Sequence, residues 1–410
     1  YVEQEFRLVS EGDAPLSWYA GVSYYRENID ALFTQGSDED VMCIYYYEVS
    51  CAEEFDGFTY NPDGLVESNR AKGRYEGWAA YVDLTYAFTD QLDASLGLRY
   101  AEDKKTFRMQ AFDVDSELGP FFAMGFTTEG FLRDSKTWSD LTPRLVVRYR
   151  PDDDWMFYGS VTRGYKSGGY GSFAIFPDVE FGTEGVTRAE ARPDTFEPEE
   201  VTSWEAGTKG RFLDGRAQVE LVAYYYGYED LQTVVPGGGG GIIVDNIGKV
   251  DGWGLESSLN LMLSDHWDLF LTGAWADTEA RKVQAACGGT NDCEGNSLPQ
   301  LPEFSYSGVL QGRLPAGAGE WLGRLEWYGQ SKTGGGLRGD PAGRLGSWYD
   351  AAVRFGYRAN AGWQVVAYLE NVTDEEYWDA ASPLGGILPA HYFGPSRPRT
   401  LGVTVNWTFE

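Results

Sequence analysis

The run from Leu401 to Phe409 alternates without a break. Leu401, Val403, Val405, Trp407 and Phe409 fall on one face, and Gly402, Thr404, Asn406 and Thr408 on the other. Successive strand side chains point to opposite sides, so one side of this strand is apolar and ends in aromatics, while the other is small and polar. Leu92, Ala94, Leu96, Leu98 and Tyr100 alternate in the same way with Asp93, Ser95, Gly97 and Arg99. So do Val82, Leu84, Tyr86 and Phe88 with Tyr81, Asp83, Thr85 and Ala87. A chain that repeats a greasy face against a polar one reads as an antiparallel transmembrane β-barrel with a wet lumen.

The connections support that reading. Short links at Thr89-Asp90-Gln91, Pro151–Asp154, Leu213-Asp214-Gly215, Ser264-Asp265-His266 and Ala359-Asn360-Ala361 alternate with long polar stretches near 28–72, 109–137, 166–200, 279–298, 330–346 and 377–397. Tight turns on one rim and long loops on the other are the outer-membrane pattern; a propeller or sandwich spaces its turns more evenly. The template predicts about fifteen strands over the whole chain. Charges keep to one parity, as Glu256 opposite Leu255 and Leu259, and Arg354 and Arg358 opposite Val353, Phe355 and Tyr357. An Arg or Lys facing lipid at mid-depth would cost about 2–4 kcal/mol, and little facing water.

Composition narrows the partners. The chain has 52 Gly, 27 Tyr and 14 Trp, and a net charge of −30. Aromatics suit the two membrane interfaces. The negative charge excludes nucleic acid, whose binders need a basic face, and fits acidic loops that keep the protein monomeric. Four cysteines form two close pairs, Cys43/Cys51 and Cys287/Cys293, without a CxxC spacing and far from His266 and His391. A zinc site does not fit. Local disulfides, implying an oxidising compartment, and free thiols both remain open. Nothing resembles an HExxH site, a GxSxG elbow or a phosphate loop, because Gly237–Gly241 lacks the following Lys-Ser/Thr. The expectation is a non-enzyme without cofactor. Asp152-Asp153-Asp154 reads as a solvated turn.

Several segments, in order, resemble TonB-dependent outer-membrane receptors. Gln4–Leu8 resembles a Q-E-x-R-L strand, and Tyr158–Gly169 resembles Y-x-S-x-x-x-G-[FY]-[KR]-S-G-G. Phe196–Glu199 with Trp204–Lys209 resembles PE…S-x-E-x-G-x-K, and Asn246–Lys249 with Gly254–Glu256 resembles N-x-G-K-x-x-x-x-G-x-E. Leu369–Tyr377 resembles the N-L-T-D-x-x-Y box, and Gly394–Thr400 leads into the last strand as the family's G-x-P-R-x does. Gly171 and the terminal Glu410 depart from the pattern.

The resemblance implies the C-terminal part of a barrel of about 22 strands, with an N-terminal plug and the first strands lying outside 1–410. It implies outer-membrane lipid, the plug, TonB through the plug, and a scarce small ligand such as a ferric siderophore as partners. Glu205, Lys209 and Glu256 are expected to meet the plug. Asn371 and Asp374 are expected to cap a turn, and Gly207, Gly248 and Gly254 to permit bends and close packing. Ligand contacts are expected from Tyr45, Tyr46, Tyr47, Phe121, Phe122, Arg163, Tyr165, Lys166, Tyr170, Trp378 and Tyr392, because aromatics and cations at a lumen mouth suit anionic, ring-bearing chelates. A passive porin and a soluble all-β carbohydrate-binding protein are the competing readings.

Overall fold

A computed structural model describes residues 1–12, 14–120, 125–236, 242–283, 293–339, 341–383 and 391–408. Fifteen antiparallel strands form one sheet in simple up-and-down order. They are β1 (Val2–Val9), β2 (Leu16–Ser37), β3 (Leu65–Ala87), β4 (Leu92–Ala111) and β5 (Leu132–Tyr149). Then come β6 (Trp155–Lys166), β7 (Glu199–Phe212), β8 (Ala217–Glu229), β9 (Lys249–Ser264) and β10 (Trp267–Arg281). The last are β11 (Phe304–Ala316), β12 (Gly319–Gln330), β13 (Trp348–Ala359), β14 (Trp363–Glu370) and β15 (Thr400–Trp407). Each pairs with its sequence neighbours, and β1 and β15 are the two edges.

The alternation in the sequence becomes two faces through the registers. Leu401, Val403 and Val405 stand opposite Leu369, Ala367 and Val365, and the same parity continues through Phe355, Leu325, Leu310, Leu269 and Leu259. This outer face carries two rows of exposed aromatics. Tyr86, Tyr149, Phe212, Trp321 and Trp407 lie near the short turns, and Tyr24, Trp78, Trp204, Tyr225 and Tyr306 lie farther up. Along β3 and β7 the rows are eight residues apart, Tyr86 to Trp78 and Phe212 to Trp204. At about 3.3 Å per residue and a tilt of about 40°, that gives a band of about 20 Å, close to an outer-membrane hydrocarbon layer.

The other face is charged and internally paired. Arg144 meets Asp83 at 2.7 Å, and Arg148 and Arg150 hold Asp93 at 2.6 and 2.5 Å. Arg358 meets Glu320 at 2.7 Å, and Arg354 reaches Glu370 at 3.2 Å. Lys209 pairs with Glu220 at 2.6 Å, and Tyr158 donates to Glu205 at 2.6 Å. Two of the three residues assigned to the plug are thus already satisfied within the wall, because the neighbouring strands bring a partner to the same face. Glu256 is exposed and makes no ion pair among the described residues.

Many glycines serve as seats for aromatic rings on the next strand. Tyr81 covers Gly21, Tyr25 covers Gly77, Tyr158 covers Gly207, Tyr224 covers Gly254 and Trp327 covers Gly308, each directly opposite in register. A ring lying flat over a glycine packs the wall where no side chain projects. Residues far apart in sequence are locked in register this way.

The strands differ from expectation at the long-loop end. Stretches near 28–37, 65–72 and 132–137, read as loop, are strand, and the first loop is only 38–64. The strands β2 to β5 run 18 to 23 residues, while about 9–11 suffice to cross. Their upper halves rise above the hydrocarbon layer, so the outer face there is Arg, Lys and Thr, and the alternation with an apolar outer face vanishes.

The loops are built as small soluble units. Between β2 and β3, helix α1 (Glu39–Tyr47) is capped by Asp38, which accepts the Asp40 amide at 2.9 Å. Cys43 is bonded to Cys51 at the start of helix α2 (Cys51–Glu54), with Cα atoms 5.2 Å apart. Cys293 is also disulfide-bonded, and Cys287 lies outside the described residues. After β14, buried Asn371 adopts φ 47°. Its Oδ1 accepts the Glu375 amide, and its Nδ2 donates to the Glu375 and Arg397 carbonyls, each at 2.9 Å. Asp374, at φ 58°, pairs with Arg399 at 3.3 Å. These two residues tie the end of β14 to the approach of β15. In the turn after β5, Asp152 accepts the Asp154 and Trp155 amides at 2.9 Å.

Candidate functional site at the lumen mouth

Above the upper aromatic row, the inner face of β3, β4 and β5 turns apolar. Ala71, Phe107, Met109, Ala111, Leu132 and Trp138 are buried there. What covers them is the segment between β6 and β7. It folds back as a hairpin, Gly169–Phe176 paired with Arg192–Phe196. Phe126–Thr128 pairs in parallel with Thr183–Val186 beside it. Tyr170, Ile175, Val186 and Ala191 complete the core. Burying such side chains contributes about 1.5–3 kcal/mol each, enough to hold a loop over the mouth.

Polar anchors fix the geometry. Tyr170 stacks on Phe107, with centroids 5.3 Å apart and planes at 9°, meets Trp138 edge-on, and donates to Asp134 at 3.1 Å. Burial, with Asp134 beside it, raises the Tyr170 phenol above its ordinary range. Lys105 donates to the Gly168 carbonyl at 2.6 Å and lies over the Tyr75 and Trp138 rings. Burial lowers its pKa. Glu197 accepts from Trp138 Nε1 at 3.2 Å and from Lys136.

Below this cap, β6 parts from β5: their pairing ends at Arg144–Thr162. In the gap, Arg163 contacts Asp140 at 3.1 Å and Glu200 at 2.6 Å. A cavity of 270 Å³ opens here, lined by Tyr25, Arg99, Asp103, Thr142, Arg163 and Tyr165. Tyr25 donates to Asp103 at 2.6 Å. The Tyr165 hydroxyl and Asp140 Oδ2 are buried without a hydrogen-bond partner among the described residues. A buried donor or acceptor left unmade costs about 1–3 kcal/mol, so the cavity wall is set to receive a polar group.

The expected contact residues fall into three separate places. Arg163, Tyr165 and Tyr170 meet at the mouth, with exposed Lys166 at its rim. Tyr45, Tyr46 and Tyr47 lie exposed on α1 at a loop tip, where Tyr45 and Tyr46 pack at 4.8 Å. Trp378 packs on Phe393 at 5.2 Å in the hairpin Trp378–Pro383/His391–Pro395, whose second strand contains Tyr392. Phe121 and Phe122 lie outside the described residues. Trp138, Phe107, Lys105, Tyr25 and Asp103 were not anticipated. Their signal is a parity switch: in β4 the apolar residues are even-numbered up to Tyr100 and odd-numbered from Phe107 to Ala111.

A family model described as TonB dependent receptor-like, beta-barrel, matches residues 8–372. The chain belongs to this family. It is accordingly a β-barrel protein of the bacterial outer membrane. Among curated relatives, the pesticin receptor of Yersinia pestis is 26% identical over 307 residues, covering 74% of this chain and 40% of that receptor. The ferric-pyoverdine 358 receptor of Pseudomonas putida is 25% identical over 52% of this chain and 24% of its own. Among solved structures, the ferric yersiniabactin uptake receptor FyuA of Yersinia pestis superposes with a TM-score of 0.72 at 20% identity. That match covers 100% of this chain and 54% of FyuA. The siderophore receptor PiuA of Acinetobacter baumannii gives 0.67 at 14% identity, covering 99% and 55%. The chain thus spans about half or less of the length of these relatives. Family membership sets aside the soluble carbohydrate-binding reading.

Proposed function

We propose that this chain forms part of the wall and mouth of a monomeric receptor that takes up a ferric siderophore by TonB-dependent transport. The observation that carries the reading is the mouth cluster. Arg163 and Tyr165, with Arg99 and Tyr25, line a cavity beneath the cap that holds Tyr170, Lys105 and Trp138, so cations and rings gather there in a chain whose net charge is −30. A volume of 270 Å³ is below the usual range for whole ligands. It suits one oxygen-bearing ring of a larger chelate, with Tyr165 and Arg163 meeting the oxygens. The names of the relatives support the same ligand class. In this reading a plug fills the lumen and couples to TonB. Further strands pair β1 and β15, whose free edges are untenable in lipid.

Binding at low temperature, where transport is halted, tests the site. The probe is the ⁵⁵Fe-loaded siderophore fraction from the host's own iron-starved culture, presented to cells carrying the full-length receptor. Arg163→Ala with Tyr165→Phe is expected to weaken binding at least tenfold, equivalent to about 1.4 kcal/mol, with folded receptor unchanged on a heat-modifiability gel. Asp152→Ser, in the turn after β5, should bind as wild type. Unchanged binding by the folded double variant would remove the mouth from the mechanism.

A further inference from the structure

The outer face of β2 to β5 above the upper aromatic row carries charge of the sign opposite to the chain as a whole. The registers arrange it in cross-strand rows. Nearest the row of Tyr24 and Trp78, Arg26 stands opposite Glu76 and Glu76 opposite Lys104. Two residues higher, Arg74 lies between Asn28 and Thr106. Two higher again, Asp30, Lys72, Arg108 and Arg133 stand side by side across four strands. Arg70 follows on β3. With Glu102, the face holds seven cations against three carboxylates, an excess of four positive charges in a chain of net −30.

Asp30 and Glu76 are already engaged by part of this set. Asp30 accepts from Arg70 through two bonds of 2.8 and 2.9 Å and meets Lys72 at 3.2 Å. Glu76 meets Arg74 at 2.5 Å and Arg26 at 3.6 Å. Lys104, Arg108 and Arg133 remain. Arg108 and Arg133 face each other directly across β4 and β5, with Lys72 opposite Arg108 on the other side. Neither arginine makes an ion pair among the described residues. Like charges placed directly opposite destabilise a sheet, so this row is unfavourable unless something outside the protein neutralises it.

Position says what that is. The rows begin two residues above the aromatic band and end eight above it, or about 5–20 Å at the strand's rise and tilt. The polar headgroup layer begins there, and the face is continuous with the membrane interface. A second copy meeting it through this same face would set cations against cations and add repulsion. Phosphate oxygens match arginine in pairs. We propose that this face binds the phosphate groups of phosphorylated glycolipid in the outer leaflet, with Arg108 and Arg133 as the central pair and Lys72 and Lys104 flanking them.

The test uses the full-length receptor in nanodiscs of phosphatidylcholine, alone or with diphosphorylated lipid A, and compares wild type with R108Q/R133Q. The single variant R133Q serves if the double folds poorly, and R188E serves as a charge control away from the face. In phosphatidylcholine alone the double variant should unfold at a temperature equal to or above that of wild type, because the repulsion is gone. With lipid A, wild type should gain stability and the double variant should not, and lipid A retained through purification should fall at least tenfold. R188E should follow wild type. Equal stabilisation of both proteins by lipid A would overturn the proposal. So would the same gain from inorganic phosphate alone, which would mark a free-anion site, or loss of a dimer in the variant, which would mark a protein interface.

Discussion

Arginine at Leu259 and Leu271 together prevents the chain from assembling in membranes, while arginine at Ser258 and Asn260 does not. Leu259 and Leu271 are register partners on the outer face, midway between the two aromatic rows. Each arginine there would cost about 2–4 kcal/mol in lipid, and the pair would also repel each other. Ser258 and Asn260 are adjacent in sequence but face the lumen, where Ser258 stands opposite Glu220. The same charge is therefore placed in water beside a carboxylate. The fraction of heat-modifiable, protease-resistant protein in outer membranes measures the difference. Equal assembly of L259R/L271R and S258R/N260R would mean that the faces have been assigned wrongly.

A second large effect separates two glycines that look alike in sequence. A Cβ on Gly254 would lie 2.4 Å from the Tyr224 hydroxyl and 2.5 Å from the Trp275 carbonyl oxygen. The ring could swing away, but the carbonyl belongs to the β10 ladder and cannot. Gly254→Val should therefore destabilise the folded barrel by about 3 kcal/mol, at the upper end for overpacking. Gly323 has nothing within 4 Å of such an atom. Gly323→Val should be neutral or slightly favourable, since valine suits a strand and glycine does not. Urea unfolding in lipid vesicles distinguishes them, and similar midpoints for the two variants would contradict the close approach of the β10 backbone to Gly254.

The membrane zone was legible in the sequence because lipid outside and water inside force a period of two with one apolar parity. Leu92 to Tyr100 and Leu401 to Trp407 show it plainly. The upper halves of β2 to β5 were not legible as strand. Polar surroundings replace hydrocarbon outside them, so Arg70, Lys72 and Arg74 point out, and Ala71, Phe107 and Met109 pack inward under the cap. The apolar parity reverses, and a reader following one parity loses the strand. At the site, Arg163, Tyr165, Lys166 and Tyr170 were found because they are close in sequence. Trp138, Phe107 and Lys105 join them only through the registers of β4 and β5 and the inward fold of one hairpin. Tyr45, Tyr46, Tyr47 and Trp378 have the same composition as a binding surface, yet sit on other loops. Composition does not state which way a loop leans.

The proposed TonB-dependent import needs the proton gradient, so uptake with the gradient collapsed tests it. Iron-starved cells carrying the full-length receptor are given the ⁵⁵Fe-loaded siderophore fraction, with and without a proton-gradient uncoupler, beside cells from which the receptor gene has been deleted. Internal ⁵⁵Fe is expected to fall at least tenfold on deletion and equally on uncoupling, while surface binding persists in the uncoupled cells. Uptake that depends on the receptor but continues undiminished in uncoupled cells would contradict TonB-dependent import and mark a passive pore.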